Sequence, residues 1–369
     1  MTACRILAVN PGSTSTKVAL FDGETPIFNE TISHSKEELC VYQTVQDQLP
    51  MRRQVVLDCL EKHHVALETV DVFVGRGGGL LPTEGGVYLA DELLTAHAAR
   101  GMRGEHPAQL ASQICRDFSL RYGKRAYIVN PPDTDEFDDI ARITGVKGYY
   151  RESHVHALNQ KEIALRFCKA RGLTYGQVNL IVCHLGGGIS VTAHRRGRMV
   201  DSNDIMKGSG PMTPTRAGDM PYLHIVDMAF SGQYTKESLT AKLNKDAGLL
   251  GHFGTEDARE ILSRIEGGDA QAKLVFDAML YQVAKYIGAM AVALKGEYEA
   301  VILTGGLSRS VYITDKIREY AGWLGDFVVM AGEFEMEALA AAALRAEQGT
   351  EPVKHYTGRS VFAGLEEKS

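Results

Sequence analysis

Two short segments of this chain combine residue types that bind phosphate. Residues 10–17 read NPGSTSTK and residues 184–188 read HLGGG, and each follows an apolar run typical of a buried strand. In turns of this kind, successive backbone N–H groups and hydroxyls converge as hydrogen-bond donors. Two such turns facing each other would suit the polyphosphate of a nucleoside triphosphate.

The pattern around these two segments is itself a repeat. Residues 5–23 (RILAVNPGSTSTKVALFDG) and 179–197 (NLIVCHLGGGISVTAHRRG) align at an offset of 174 residues, so that Asn10 falls opposite His184 and Gly12 opposite Gly186. Each copy reads as strand, polar residue, glycine loop, strand and turn. The repeat indicates two related domains facing a shared cleft, with a boundary near residues 155–175. The alternative is a coincidence between two ordinary β-hairpins.

Strands and helices that could position these turns follow from the spacing of apolar residues. Short apolar runs predict strands at residues 6–9, 72–74, 126–129, 180–183, 301–303 and 327–329. A three-to-four spacing predicts helices at residues 106–122, 155–170, 270–294 and 335–347. Strands that alternate with helices indicate an α/β protein whose sheet is covered on both faces.

Other catalytic signatures are missing from the sequence. It contains no GxxxxGK[ST], no GxGxxG that opens a helix after a strand, no HExxH and no GxSxG. The acidic string at residues 133–139 lacks the alternation and the glycine of a calcium-binding EF-hand loop, and is more often a solvated loop or a helix start.

Composition narrows the class of protein further. The chain has 369 residues, of which 44% are hydrophobic and 23% charged, as in globular proteins of about two domains. A net charge of −6 without a basic run makes nucleic acid an unexpected partner. Because no apolar stretch reaches ~18 to 20 residues and the first nine residues lead into a polar run, we expect no membrane helix, no secretory leader and a cytoplasmic protein. Six cysteines without a CxxC pair predict buried thiols, and neither a zinc site nor a disulfide framework.

Several segments resemble the acetate kinase family. Residues 9–17 (VNPGSTSTK) resemble its opening signature, residues 184–188 its second phosphate-binding segment, and residues 304–306 (TGG) its adenosine-binding segment. The stretches GRGGG at 75–79, NPPDTD at 130–135, HALN at 156–159 and TRAGD at 215–219 look specifically like butyrate kinases. The matching segments run in order from about residue 5 to about residue 345.

The resemblance implies a fold and an activity. The fold would be α/β, with two related ribonuclease H-like domains of the actin-like ATPase type flanking a nucleotide and substrate cleft. Residues 1–160 would form the N-terminal domain, with a C-terminal helix at 340–369 packing back on it, and residues 161–339 the nucleotide-binding domain. The implied reaction transfers the γ-phosphoryl group of ATP, with Mg²⁺, reversibly to a short-chain fatty acid such as butyrate, giving ADP and an acyl phosphate. A homodimer is also implied.

The same resemblance carries over to individual residues. The catalytic positions match Asn10, Arg76, Asp135, His156 and Arg216. The phosphate and nucleotide positions match Gly12, Ser13, Thr14, Ser15, Thr16, His184, Gly186, Gly187, Gly188, Gly305 and Gly306. The magnesium-associated carboxylate matches Glu335, although a shift of two positions would select Glu333 or Glu337.

Physical chemistry gives these residues roles, and alternatives to them. Phosphoryl transfer rests on positioning and on neutralising charge, and a guanidinium such as that of Arg76 or Arg216 can hold a carboxylate or phosphoryl group through two bonds. The alternative for a lone arginine is a surface ion pair, and Asp219 is the expected local partner of Arg216. Asn10 could instead be a turn residue before Pro11, and Glu335 could simply complement a helix dipole.

Two positions bear on which acid is phosphorylated. Acetate kinases usually carry a bulky aliphatic residue where this chain has Gly78, and Phe where it has Val155, so both differences enlarge the pocket. Each extra buried methylene of butyrate is worth about 0.8 kcal/mol. We therefore expect butyrate to be preferred over acetate, with propionate, valerate and isobutyrate also accepted. An acetate or propionate kinase, a sugar kinase, and a non-catalytic actin-like ATP-binding protein are the alternatives.

Overall fold

Strand β1 (Arg5–Pro11) lies inside a seven-stranded sheet in the computed structural model, which describes residues 4–364. It pairs antiparallel with β2 (Ser15–Asp22), which pairs antiparallel with β3 (Thr25–Ser33). On its other side β1 pairs parallel with β4 (Val72–Gly75). The remaining strands of this sheet are β5 (Val87–Leu89), β6 (Arg125–Val129) and β12 (Val353–Lys354), and the order is β12-β5-β6-β4-β1-β2-β3.

A second sheet has five strands in the order β11-β10-β7-β8-β9. Its strands are β7 (Asn179–Leu185), β8 (Ile189–Arg195), β9 (Arg198–Ser202), β10 (Val301–Thr304) and β11 (Phe327–Val329). Strands β7, β8 and β9 are antiparallel, while β10 is parallel to both β7 and β11. This is the order of β6-β4-β1-β2-β3 in the first sheet, so the predicted α/β fold of two related domains is confirmed by topology.

Thirteen α-helices accompany these strands within residues 4–364. They are α1 (Lys36–Leu39), α2 (Leu49–Lys62), α3 (Glu92–Arg100), α4 (Leu110–Tyr122), α5 (Asp139–Arg142), α6 (Ala157–Arg171), α7 (Tyr222–Phe230), α8 (Lys236–Asn244), α9 (Gly248–Phe253), α10 (Ala258–Glu266), α11 (Ala270–Ala293), α12 (Val311–Ala321) and α13 (Glu335–Glu347). None of the helices in this part of the chain has the length and hydrophobicity needed to cross a membrane.

The alternation of side chains along β1 explains how the first sheet is covered. Leu7 and Val9 point to one face, where they join a core with residues of α2, α3 and α4, whereas Ile6 and Ala8 point to the other face and pack with α13. The alanine-rich sequence of α13 allows this helix to lie close to the strands. In the second sheet, β7 and β8 pack against α11 and α12.

The described residues divide into two packed units. Unit 1 comprises residues 4–136, 157–159 and 334–364, and unit 2 comprises residues 137–156 and 160–333. The sequence-based division, 1–160 and 161–339, assigned residues 137–156 to the first domain. They pack in unit 2 because the backbone N–H of Asp138 donates to Val200 O (3.0 Å) and Arg151 pairs with Asp201 (2.9 Å).

Candidate active site

The glycine turn of unit 1 connects β1 to β2. The backbone N–H of Gly12 donates to Ser15 O at 2.7 Å, which closes the turn, and the side chains of Ser13 and Thr14 are exposed at its tip. These two hydroxyls are accessible to a ligand, as a phosphate-binding role requires.

Thr16, predicted to be a phosphate-loop donor, points the other way. Its side chain is buried, and its hydroxyl receives a hydrogen bond from Arg52 Nη1 (2.9 Å) and contacts His34 Nε2 (2.8 Å). Arg52 also donates to Ser15 O (2.6 Å), and burial lowers its pKa to about 10. Thr16 therefore supports the turn from beneath and does not face a ligand, which corrects the sequence-based prediction.

Asn10, Arg76 and Glu335 come together at the carboxyl ends of strands β1 and β4 in the first sheet. Asn10 is the next-to-last residue of β1, Arg76 directly follows the parallel strand β4, and Glu335 begins α13. Asn10 Nδ2 donates to Glu335 Oε2 (2.9 Å), and Arg76 Nη1 lies 3.6 Å from Glu335 Oε1. Lys17 Nζ lies 3.4 Å from Oε2 of the same carboxylate. Three predicted residues thus form one charged cluster.

This cluster contains oxygen atoms of the type that Mg²⁺ prefers. Asn10 Oδ1 is buried and makes no hydrogen bond to any described residue. The carboxylate of Glu335 lies beside it, because it accepts a hydrogen bond from the Nδ2 atom of the same asparagine. Mg²⁺ binds through one or two protein oxygens and keeps several waters and phosphate oxygens. The oxygen atoms of Asn10 and Glu335 therefore fit a Mg²⁺ ion. Lys17 and Arg76 would compete with the ion for the carboxylate of Glu335.

The glycines after β4 shape the backbone around Arg76. A β-carbon on Gly75 would lie 2.7 Å from Ala111 Cβ, and one on Gly77 would lie 2.3 Å from Ile128 Cγ2. Gly78 adopts a φ of +147°, which disfavours any side chain at this position, and it lies beside Ala108 and the backbone N–H of Gln109. Gly78 thus has a conformational reason for being glycine in addition to the predicted effect on pocket size.

His106 was missed by the sequence analysis, although it belongs to the surroundings of Arg76. Its Nδ1 accepts a hydrogen bond from the backbone N–H of Ala108 (3.1 Å), so the proton of the neutral ring lies on Nε2. Dense surroundings and the positive charge of Arg76 lower the pKa of His106 to about 4, while Glu335 acts in the opposite direction. His106 is solvent-accessible, and its ring offers a neutral N–H donor within reach of the positive charge of Arg76. His106 and Arg76 are 30 residues apart in the sequence, so no local pattern indicated that they are related.

Asp135 lies in the segment that follows β6, the strand next to β4. Its side chain is buried, and its backbone N–H donates to Thr83 O (2.8 Å). The neighbouring acids hold the facing loop: Asp133 accepts from Leu80 N–H (3.1 Å) and Glu136 from Gly85 N–H (2.8 Å). The first half of the acidic string is therefore buried and structural rather than a solvated loop. The second half is the helix start considered from sequence, because Asp138 precedes α5 and the exposed Asp139 begins it.

In unit 2, two histidines stack at the base of the second glycine turn. His184 is the next-to-last residue of β7, and its ring lies 3.9 Å from that of His156, centroid to centroid, at an interplanar angle of 18°. His156 Nδ1 lies 2.8 Å from Ser190 Oγ, which also receives a hydrogen bond from Gln160 Nε2 (2.7 Å). Val155, the predicted pocket residue before His156, is buried.

Arg216 reaches the same turn from a distant loop. A β-carbon placed on Gly188 would lie 2.6 Å from Arg216 Nη1 and 3.4 Å from His156 Cε1, so both side chains lie against this glycine. Two guanidinium atoms of Arg216, Nε and Nη1, are buried without a hydrogen-bond partner among the described residues, and burial lowers the pKa of the group. Buried donors without partners are unusual in folded proteins, and here they mark a place for an anion.

Asp219 is not the partner of Arg216, which corrects the expectation from sequence. Its carboxylate accepts hydrogen bonds from Gly210 N–H (2.9 Å) and from the hydroxyl of Tyr286 on α11. Asp219 thereby fastens the loop that carries Arg216 to the helix behind it. Arg216 itself is held through its backbone N–H, which donates to Thr213 Oγ1 (3.1 Å).

A cavity of about 640 Å³ lies in unit 2 beside the predicted adenosine segment. It is lined on one side by Gly306, Arg309 and Ser310 and on the other by Arg259 and Leu262. The volume is in the range of small-molecule pockets.

The phosphate turn and the adenosine segment of unit 2 are neighbours. Gly305 has a φ of +88°, and a β-carbon on it would lie 2.3 Å from Leu185 O, directly beside the second glycine turn. Glu333 also lies near this turn, since a β-carbon on Gly186 would be 3.7 Å from Glu333 Oε1. The alternatives Glu333 and Glu335 therefore lie in different surroundings.

Comparison with known proteins gives a consistent result. The model of the Acetokinase family matches residues 145–326, just under half of the chain. Acetate kinase from Porphyromonas gingivalis is similar in structure, with a TM-score of 0.73 and 19% identity over 93% of this chain and 99% of that one. A propionate kinase from Francisella tularensis subsp. tularensis SCHU S4 has a TM-score of 0.71 and 18% identity over 92% and 98%. Acetate kinase from Entamoeba histolytica has a TM-score of 0.71 and 18% identity over 91% and 97%.

These similarities agree with the elements described above. The matched range 145–326 contains His156, the second glycine turn, Arg216 and the cavity beside Gly306. The chain therefore has the fold of acetate and propionate kinases, and its residues 145–326 match the Acetokinase family.

Proposed function

We propose that this protein is an ATP-dependent carboxylate kinase of the acetokinase family that converts a short-chain fatty acid, butyrate in preference to acetate, to its acyl phosphate. The observation that carries the proposal is the buried guanidinium of Arg216, which lies with His156 against Gly188. Its Nε and Nη1 have no hydrogen-bond partner among residues 4–364. A phosphoryl group would supply the missing acceptors.

Nucleotide binding is assigned to unit 2. The base and ribose would occupy the cavity beside Gly306, and the phosphates would extend along the turn at Gly186, Gly187 and Gly188, next to Gly305. Backbone N–H groups of such turns bind phosphate oxygens without needing positively charged side chains. The exposed hydroxyls of Ser13 and Thr14 are the corresponding donors in unit 1.

The proposed reaction is an in-line transfer. A carboxylate oxygen of the acid attacks the γ-phosphorus while the bond to the bridging oxygen of ADP breaks, and the electron pair of that bond leaves with ADP. Arg216 would neutralise the transferred oxygens, and His156, held through Ser190, would donate a hydrogen bond to them. Arg76, next to the N–H donor of His106, would hold the acid carboxylate.

Magnesium completes the proposed site. When bound, Mg²⁺ supplies positive charge to the phosphate oxygens as the bridging bond breaks. Asn10 Oδ1 and the carboxylate of Glu335 are the protein oxygens proposed to hold it. Asp135, buried after β6, is proposed to order this edge of the sheet.

The proposed preference for butyrate rests on two residues. Gly78 and Val155 stand where acetate kinases usually carry larger side chains, and each would take up less of the space needed by a longer acid. Methylene discrimination in an apolar pocket amounts to ~1 to 3 kcal/mol, so the preference should be graded. An acetate or propionate kinase of the same fold is the second candidate, because the similar structures carry those names.

Trapping acyl phosphate with hydroxylamine tests the proposal. The full chain is incubated with ATP, Mg²⁺ and, in separate reactions, acetate, propionate, butyrate, isobutyrate or valerate. A maximum of kcat/KM at four carbons supports butyrate kinase activity, whereas a maximum at two or three carbons supports the second candidate. Absence of product with every acid, in a protein that binds ATP, would favour a non-catalytic ATP-binding protein. Sedimentation velocity tests whether the chain forms the homodimer that the family resemblance implies.

A further inference from the structure

Helix α2 and strand β3 bring three chemically different ligand groups together, away from the proposed active site. Cys59 lies in the last turn of α2, His63 follows the helix directly, and Glu30 lies on β3. The Cys59 Sγ atom, a ring nitrogen of His63 and a carboxylate oxygen of Glu30 all lie within 4.8 Å of one another. His63 Nε2 and Glu30 Oε1 are only 2.6 Å apart.

The backbone and a neighbouring ring orient these groups. Cys59 and His63 are four residues apart, which places them on one side of the helix end. On β3, Phe28 and Glu30 are two residues apart and point to the same face. The ring of Phe28 stacks on that of His63, with centroids 4.0 Å apart and an interplanar angle of 5°, and this contact fixes the orientation of the imidazole.

We propose that Glu30, Cys59 and His63 form a binding site for a zinc ion. Thiolate, imidazole and carboxylate are the three ligand types that Zn²⁺ takes in proteins, at ~2.0 to 2.3 Å and in tetrahedral geometry. Glu30 and His63 are partly exposed, so a water molecule can occupy the fourth position. On binding, the thiol proton of Cys59 passes to solvent, and the two negative charges of thiolate and carboxylate balance the ion.

Lys62 gives the proposal a specific test. Its ammonium group lies 2.8 and 2.9 Å from the two carboxylate oxygens of Glu30 and balances the carboxylate charge. The Lys62 side chain is 65% exposed and can turn into solvent. A bound zinc ion would compete with this ammonium group, so removal of Lys62 should strengthen zinc binding. If Glu30 and His63 form only a surface ion-pair cluster, removal of Lys62 has no reason to create metal affinity.

The expectation from sequence was the opposite, because no CxxC pair or histidine motif is present. The site would be assembled from a Cys-x-x-x-His spacing at a helix end and a glutamate 29 residues earlier in the chain. Only the packing of α2 on β3 reveals this arrangement.

Cobalt spectroscopy of the full chain tests the site. The protein is freed of metal with a chelator, held in excess Mg²⁺ to occupy oxygen-ligand sites, and titrated with Co²⁺ as a spectroscopic probe and then with Zn²⁺ as a competitor. We expect a thiolate-to-cobalt charge-transfer band that zinc abolishes. The band should persist in Cys40→Ser, the control at an exposed cysteine, and disappear in Cys59→Ser. A wild-type protein without the band, or a Cys59→Ser variant that keeps it, would overturn the proposal.

Variants of His63 and Lys62, which are more exposed than Cys59, make the test independent of folding defects caused by changing the buried cysteine. His63→Gln should weaken Zn²⁺ affinity at least about tenfold, as expected for loss of a ligand group. Lys62→Ala should strengthen it severalfold, and His64→Gln, at the exposed neighbouring histidine, should leave it unchanged. Equal affinities for His63→Gln and Lys62→Ala would contradict the proposal.

Discussion

The guanidinium of Arg216 lies directly against the backbone of Gly188. A β-carbon at Gly188 would be 2.6 Å from Arg216 Nη1, closer than the 3.0 Å below which real β-carbons essentially never approach other atoms. The same β-carbon would be 3.4 Å from His156 Cε1. The third glycine of the turn is therefore what allows two candidate catalytic side chains to meet.

Gly188→Ala should consequently reduce activity without unfolding the protein. The φ of Gly188 lies outside the range that L side chains avoid, so the backbone accepts alanine. Displacing Arg216 and His156 should cost ~1 to 3 kcal/mol, or about 5- to 160-fold in kcat/KM. In Gly187→Ala the new methyl group meets no atom within 4 Å, so Arg216 stays in position. For this variant we expect a smaller loss, confined to the KM for ATP. Equal losses of kcat in both variants would argue against this role of Gly188.

Arg216→Met should separate stability from activity. The arginine places two buried donors near the turn that have no partner in the part of the chain that the structure describes. Each unsatisfied buried group costs ~1 to 3 kcal/mol. A methionine of similar length removes this cost, so the free energy of unfolding in urea, measured without ligands, should rise while kcat falls to near background. Arg216→Lys, which keeps the charge but loses the planar donor pair, serves as the control. A destabilised Arg216→Met protein would mean that the guanidinium is satisfied in the free enzyme.

Much of the framework could be predicted from the sequence, because it depends on the period of apolar residues. The helix at residues 335–347 and the strand at 327–329 have the predicted bounds, and the helix at 270–294 ends one residue earlier than predicted. The repeat at residues 5–23 and 179–197 reflects two hairpins of the same topology. These features depend on local spacing, which a single sequence records.

The errors of the sequence-based predictions concern the direction in which a side chain points and the contacts between residues distant in the sequence. Thr16 was grouped with the exposed hydroxyls of its turn, yet it shares the inward side of β2 with Val18 and Leu20, which are buried in the core. The inward orientation of Thr16 could have been predicted, because alternate residues of a strand share a face. His106 and Tyr286 could not be found in this way, because the effect of Arg76 on His106 and the hydrogen bond of Tyr286 to Asp219 both arise from tertiary packing.

His194 should make the protein less stable in mild acid. Its ring is buried between Tyr175 and Gln160, and burial, with a smaller contribution from Lys161, lowers its pKa to about 3. Between about pH 6.5 and 3 the unfolded chain binds a proton at this position and the folded chain does not, so stability falls as the pH falls, by up to about 1.4 kcal/mol per pH unit. Urea unfolding of wild type and His194→Gln between pH 7 and 5 measures this contribution as a difference in slope. Parallel curves would show that His194 is protonated in the folded protein.

Val155→Phe should shift the preference from butyrate towards acetate. Val155 is buried next to His156, and the larger ring would take up space proposed for the alkyl chain of the acid. Methylene discrimination in apolar pockets reaches about 10- to 200-fold. The ratio of kcat/KM for butyrate to kcat/KM for acetate should therefore decrease by a factor within this range. Val155→Ile, which adds a single methylene, should give a smaller shift in the same direction. Because the measured quantity is a ratio for two acids on one protein, a general loss of active enzyme cancels, and an unchanged ratio would exclude Val155 from the acyl pocket.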